Sequence, residues 1–280
     1  MKRIVLLMLC GVLALPLFAG EPEKKDADVF AAADWNWQPL GKGAQYGCAQ
    51  LNLFESTQFI SVIRYKARKY KTDIVDAPAE FADSTEALAL KHNALGAING
   101  SYFNMKTLYP TTLVQDNGVR RGETNGSEVF RVDGVMAVRC HKVKIFRCDT
   151  TAYTAITRKH KEAMASGPVL LLDGQEARDE WPGSGFYAKR HPRTLIGTTA
   201  DGWVYLIVID GRFPGQGIGT TIHETAMVAK MFGLKDALNL DGGGSSTLWT
   251  KPAGVISHPY DNKRFDHYGQ RSVPNIVVVR

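Results

Sequence analysis

"WVYLIVIDGR" (203–212) is apolar at seven consecutive positions and then stops at Asp210-Gly211. A run with no polar alternation belongs to a strand buried on both faces. The glycine-rich loop "RFPGQGIGT" (212–220) leads into "TIHETAMVAKMFG" (221–233), where Thr221 and Glu224 have the spacing of a capping box and Gly233 stands where a helix C-terminal glycine belongs. A second apolar segment, "DALNLDGGG" (236–244), follows at once. Strand, helix and strand with short joints predict a βαβ unit over about 203–241, its strands parallel and its crossover right-handed. Asp210 and Asp241 then share the carboxyl edge of a sheet, beside the helix start that carries Thr221, His223 and Glu224. Open α/β sheets place ligands at that edge.

Working outward, Asp83 and Glu86 predict a capped helix over 84–95 closed by Gly96, running into "GAINGSYFN" (96–104), a short strand ending at Asn99-Gly100. "GPVLLLDG" (167–174) and "SVPNIVVVR" (272–280) read as further strands. No linker or low-complexity stretch follows Gln45. The expected fold class is therefore α/β in the broad sense, an α+β mixture: a single domain with a mixed β-sheet flanked by helices. It would occupy residues 46–280, with 21–45 as a loosely held lead-in. "RYKARKYK" (64–71) fits an edge strand with one solvated face better than a nucleic-acid surface.

Lys2 and Arg3 precede an apolar run over 4–18, too short to span a bilayer comfortably, and then Ala19 and Gly20. This predicts a signal peptide over 1–20 and an exported chain, periplasmic or extracellular, with no stable membrane insertion. Loss of Lys2 and Arg3 lowers the formal charge from +6 to +4. Three cysteines remain, of which Cys140 and Cys148 could pair across a hairpin in an oxidising compartment. Without a CxxC, a thiolate metal site finds no support.

Several motifs exclude common chemistries. "GQGIGT" has Thr220 where a dinucleotide fingerprint needs its third glycine, and "HETAM" has Met227 where a zincin needs its second histidine. "GGGSST" (242–247) lacks a phosphate-loop lysine and, at Thr247, the last glycine of a nucleophile elbow. Glu224 could stabilise the helix start or serve as a carboxylate at the mouth of the site. Asp210 and Asp241 together favour a site over two unrelated turns. The density of Arg190, His191, Arg193 and Arg212 suggests an anion, because a planar guanidinium can donate two parallel hydrogen bonds to phosphate oxygens. Tyr102 and Phe103 could stack on a sugar or fill core.

Six stretches, "AINGSYFN" (97–104), "SGPVLLLDG" (166–174), "HPRTLIG" (191–197), "VIDGR" (208–212), "TIHETA" (221–226) and "ALNLDGGGSST" (237–247), occur in an order that resembles the phosphodiester glycosidase family. That family includes many bacterial exported proteins and the mammalian lysosomal uncovering enzyme. The resemblance implies cleavage of a sugar C1–phosphate bond in a diester such as an N-acetylglucosamine-1-phosphodiester. It also implies a cavity built from Asn99, Arg193, Asp210, Arg212, Glu224, Asp241 and Gly242 to Ser245. Ser101-Tyr102 departs from the Gly-Phe common in relatives.

A phosphodiester departs as the weak base of a strong acid, so cations that hold it matter more than general-acid help. The expected roles are Asp241, Glu224 and Asp210 in catalysis, with Asn99, Arg193, Arg212, Gly242, Gly243, Gly244 and Ser245 binding substrate. One of Asp241 or Glu224 would attack C1 or activate water, with retaining and inverting outcomes both open. No cofactor is expected, and the partner is a carbohydrate phosphodiester rather than nucleic acid. Two alternatives stand beside this reading: a metal-dependent phosphodiesterase using Asp210, Asp241, His223 and Glu224 as ligands, and a non-catalytic binding module for envelope glycans or sugar phosphates.

Overall fold

The computed structural model describes residues 22–280, and the signal peptide expected over 1–20 lies outside the described residues. Its largest sheet has eight strands in the order Gln38–Gly41, Ala44–Leu53, Ser56–Lys66, Trp203–Ile209, Arg193–Thr198, Asp236–Asn239, Val169–Leu172 and Gln175–Glu176. Two five-stranded sheets accompany it. One carries Gly96–Asn99 and Asn275–Val279, the other Val114–Asp116, Gly134–Arg139 and Glu162–Ser166.

Trp203–Ile209 explains its own composition. Val204, Leu206 and Val208 join a core cluster with Ile98, Met136 and Val277 from the smaller sheets. Tyr205, Ile207 and Ile209 join a second cluster with Ile222, Ala226 and Val228 of the helix Ile222–Met231. Burial on both faces removes the polar half of the strand's alternation.

The α+β class holds, but the strand relationship differs from a simple βαβ unit. Trp203–Ile209 and Asp236–Asn239 run in the same direction, yet each pairs antiparallel with Arg193–Thr198 lying between them. Neighbouring strands are antiparallel in all three sheets among the described residues. A continuous apolar run reports burial and not direction, so the sequence could not distinguish the two arrangements. The inserted strand brings its first residue to the edge, since Arg193 faces Ile209 and Leu195 faces Asn239. Arg193, Asp210 and Asp241 therefore share one sheet edge.

Other expectations shift. Ser56–Lys66 pairs on both sides, with Ala44–Leu53 and Trp203–Ile209, so it is no edge strand, and the basic stretch beyond it leaves the sheet as the short turn Ala67–Lys69. The earlier helix is Thr85–Lys91, capped by Ser84 rather than Asp83: the Ser84 hydroxyl accepts from the Ala87 N–H at 3.1 Å. Asn93, not Gly96, takes the left-handed position that follows it, at φ 51°.

The segment read as a lead-in is packed. It contains the helix Pro22–Ala31 and the strand Gln38–Gly41, and Phe30 and Trp35 meet Phe232 at ring-centroid distances of 4.8 and 4.9 Å. Cys140 and Cys148 are free thiols. Cys140 lies in the turn joining Gly134–Arg139 to Lys142–Arg147, and Cys148 follows the far end of the second strand. Six residues of strand separate them by roughly 20 Å, far beyond disulfide reach.

Candidate active site

Asp241 stands where the strand Asp236–Asn239 has just left the sheet. Its backbone is pinned from a second sheet: its N–H donates to the Gly100 carbonyl at 3.0 Å, and its carbonyl accepts from the Asn99 side-chain amide at 2.7 Å. Asn99 is fully buried, and its amide oxygen accepts from the Thr194 hydroxyl at 2.8 Å and the Thr247 N–H at 3.2 Å. It is thus a bolt between three segments, two of them from the large sheet's edge and its following loop.

The Asp241 carboxyl accepts from the Gly242 N–H at 3.0 Å. Burial pushes its pKa up to about 6, opposed by the neighbouring Ser245 hydroxyl and by the charges of Arg131 and Arg271. Ser245 is buried, and its hydroxyl has no partner of ordinary hydrogen-bond geometry. A carboxyl titrating close to neutrality beside cations is suited to proton transfer or attack.

The three glycines serve the chain's own packing. A Cβ on Gly242 would stand 2.6 Å from the Pro192 carbonyl oxygen. Gly243 adopts φ 64° and donates to that same carbonyl at 2.9 Å. A Cβ on Gly244 would collide with the Asp261 and Arg271 side chains, which pair at 2.7 Å. These absent side chains let Pro192 and the Arg271–Asp261 pair close around Asp241.

Arg193 is almost wholly buried. Its Nε donates to the Thr220 carbonyl at 2.9 Å, and one terminal nitrogen donates to the Phe186 and Lys189 carbonyls at 2.9 and 3.0 Å. Among the described residues no carboxylate forms an ion pair with it and its Nη1 makes no hydrogen bond; burial lowers its pKa to about 10, opposed in part by the charge of Glu224. A buried guanidinium without an ion-pair partner invites an anion.

Arg212, at φ 68°, approaches His191 Nδ1 at 3.3 Å and lies 5.1 Å from the Tyr260 ring centroid. Its terminal nitrogen is 3.3 Å from where a Gly243 Cβ would be. Burial and the charges of Arg193, Arg212 and Lys189 press His191 down to about 4, so it is neutral at physiological pH.

Asp210 is buried, and burial raises its pKa while His258 opposes the rise. It accepts from the His258 backbone N–H at 3.1 Å and lies 2.6 Å from His258 Nδ1. It orients an imidazole that stacks on Phe265 with centroids 3.6 Å apart.

Glu224 completes the capping box, accepting from the Thr221 N–H at 2.9 Å, and both its oxygens accept from Arg190. Arg190 also donates to the Ser56 hydroxyl and the Phe54 carbonyl. Both of its oxygens are thereby engaged by protein donors.

Asp241, Asn99, Arg193, Arg212 and the glycine loop lie together, whereas Glu224 pairs with Arg190 and Asp210 with His258. His223 lies instead 3.6 Å from Glu176. Among the described residues no group of three or more His, Cys, Asp or Glu side chains gathers as metal ligands would, so the four postulated metal ligands are dispersed. Tyr102 is core, its hydroxyl donating to the Gly167 carbonyl at 2.7 Å, with the Arg131 guanidinium 3.8 Å over its ring.

The sequence reading missed Arg131, His258 and Arg271. For His258 and Arg271 the concentration of histidine, tyrosine, aspartate and arginine in "SHPYDNKRFDHYGQRS" (257–272), which has almost no apolar pattern, was the available signal; Arg131 lies outside it. Two large concavities, about 580 and 830 Å³, lie away from Asp241.

Residues 92–280 match the family model described as phosphodiester glycosidase. No curated protein matches the chain. Among solved structures, the catalytic domain of zebrafish N-acetylglucosamine-1-phosphodiester alpha-N-acetylglucosaminidase, auto-inhibited by its pro-peptide, superposes with a TM-score of 0.64 at 15% identity, covering 87% of this chain and 84% of that one. A hypothetical protein from Synechocystis gives 0.67 at 14% identity over 85% of this chain, which spans 62% of that structure. A Burkholderia pseudomallei protein described as exported gives 0.59 at 15% identity over 81% and 74%. At these identities the likeness establishes a shared fold.

Proposed function

Because the chain belongs to the phosphodiester glycosidase family, we propose that it hydrolyses the C1–phosphate bond of a sugar phosphodiester, with the cleft around Asp241 as its active site. The observation that carries this reading is the presence at one sheet edge of a carboxyl poised near pH 6 and a buried guanidinium, Arg193, that forms no ion pair among the described residues.

Arg193 Nη1 and Arg212 bind the leaving phosphate, whose departure as a stabilised anion reduces the need for a general acid. Asp241, once ionised, attacks C1 or removes a proton from the attacking water. His258, its Nδ1 held by Asp210, exchanges protons through Nε2, and Gly242 to Ser245 hold Asp241 in place. The N-terminal segment supports export to the periplasm or beyond, as does the likeness to an exported protein. Among the described residues no helix is long and apolar enough to cross a membrane.

Incubation with an N-acetylglucosamine phosphodiester in ¹⁸O-water, with and without chelator, tests the reading. Label in the released sugar and indifference to chelator are expected. Label in the phosphate would favour a phosphodiesterase, and saturable binding without turnover a binding module.

A further inference from the structure

The strands that deliver Arg193 and Asp241 to one edge have their other ends about 20 Å away, and a separate cavity of about 580 Å³ opens there. Five lysine or arginine side chains line it, Lys66, Arg68, Lys142, Lys144 and Lys235, against two acids, Asp201 and Asp236. The acids are engaged: Asp201 takes Lys66 at 2.9 Å, and Asp236 accepts from the Asp173 N–H at 3.0 Å. Lys235 reaches out of the lining to Asp173 at 3.0 Å. Arg68, Lys142 and Lys144 make no ion pair among the described residues, so three cations line the cavity against one acid, Asp236, that is itself outside any ion pair, and the balance is positive.

The shape selects the kind of anion. A cavity of this volume encloses one small unit, whereas nucleic acid needs a groove that follows its backbone and open aromatic faces for bases. The one aromatic residue of the lining, Trp203, is already engaged by the Lys66 ammonium 4.5 Å from its ring and the Arg64 guanidinium at 5.4 Å. The Thr199 hydroxyl is held by Asp201 and the Trp203 N–H, and the Gly202 main chain by Thr199 and Ala67, so the wall is a fixed turn and the cations supply its binding chemistry.

We propose that this cavity is a second, non-catalytic site for a phosphorylated saccharide unit, either free or at the end of a glycan chain. Only the choice of a saccharide rests on the reading of the Asp241 cleft. The anion preference stands on the cavity alone. On a polymer, occupancy here would tether the chain while the opposite edge acts on another unit, raising its effective concentration.

Cys140 lines the cavity and is exposed, which supplies a local reporter independent of turnover. In the full-length mature protein, the alkylation rate at Cys140, followed by peptide mass spectrometry with Cys48 and Cys148 as internal controls, should fall several-fold and saturably with N-acetylglucosamine 1-phosphate. N-acetylglucosamine alone should leave it unchanged. Protection by the monophosphate identifies the free ligand, and stronger protection by a phosphoglycan identifies the chain-borne one.

The exposed double substitution Lys142→Glu with Lys144→Glu should weaken protection at least tenfold while leaving the melting temperature and turnover of a small diester unchanged. Arg68→Ala should weaken it less. Absence of protection in the wild type, equal protection by an oligonucleotide, or retained protection in the double variant would each overturn the proposal. A protein that binds here but turns nothing over would instead refute only the catalytic reading.

Discussion

The Asn99 side-chain amide donates to the Asp241 carbonyl at 2.7 Å, tying the end of a strand in one sheet to the carboxylate at the edge of another. Asn99 is fully buried and also satisfies Thr194 and Thr247. Replacing it with alanine removes three hydrogen bonds and leaves the Asp241 carbonyl and the Thr247 N–H unpaired, while the Thr194 hydroxyl keeps Ser246, so Asn99→Ala should cost about 2–4 kcal/mol and lower the melting temperature by roughly 4–12 °C. It should also depress kcat in the surviving folded fraction, because Asp241 loses its anchor. Calorimetry and active-site titration on the same sample separate the two effects.

Asp241→Asn should abolish turnover by about 10²–10⁴-fold and yet stabilise the fold at alkaline pH. The folded carboxyl titrates near 6 against an ordinary 3.8, so the folded state holds the proton more tightly. Stability from this group is full below about 4 and is lost as pH rises through 6. At pH 8 the amide avoids burying a charge, a gain of about 1–2 kcal/mol, whereas near pH 3.5 the two proteins should melt together. Melting curves at the two pH values check the sign, and equal stability at both would mean that Asp241 is better solvated than its surroundings indicate.

The acid limb of kcat/KM should fall near pH 6 if ionised Asp241 is the reacting form. Arg271 is one of the charges holding that value down. Arg271→Gln should move the limb to higher pH by a few tenths of a unit to about one unit. A limb that stays fixed would assign it to another group.

Glu224→Gln should leave kcat/KM within about threefold of wild type while costing about 1–2 kcal/mol, since its ionic partner Arg190 loses its charge compensation but the Thr221 cap can persist. A loss above a hundredfold with an unchanged melting point would return Glu224 to the chemistry.

The capping box at Thr221, the doubly buried strand at 203–209 and the shared edge of Asp210 and Asp241 were legible because each follows from local chemistry: a cap spacing, an unbroken apolar run, a chain direction. The strand inserted between the two parallel ones was not, because pairing partners are set by contacts distant in sequence. The same limit applied inside the site. Asp-Gly at 210–211 shows a carboxylate at a turn, but the histidine it orients arrives 48 residues later in a loop without periodicity. Glu224 carried two readings in sequence, and the partner that bears on the choice, Arg190, arrives from 34 residues away, beyond the reach of local pattern.

The inserted strand Arg193–Thr198 has a consequence for how the molecule can vary. The residues around Asp241 come from that strand's beginning and its neighbours' ends, while the turn Thr199–Gly202 closes the hairpin at the opposite edge, in the wall of the basic cavity. Residues added or removed at that turn alter the length of the hairpin on the far side only, leaving the register of Arg193 against Ile209 intact. The two edges of one sheet are thereby free to diversify separately: the far edge can be remodelled by loop length while Arg193, Asp210 and Asp241 keep their spacing.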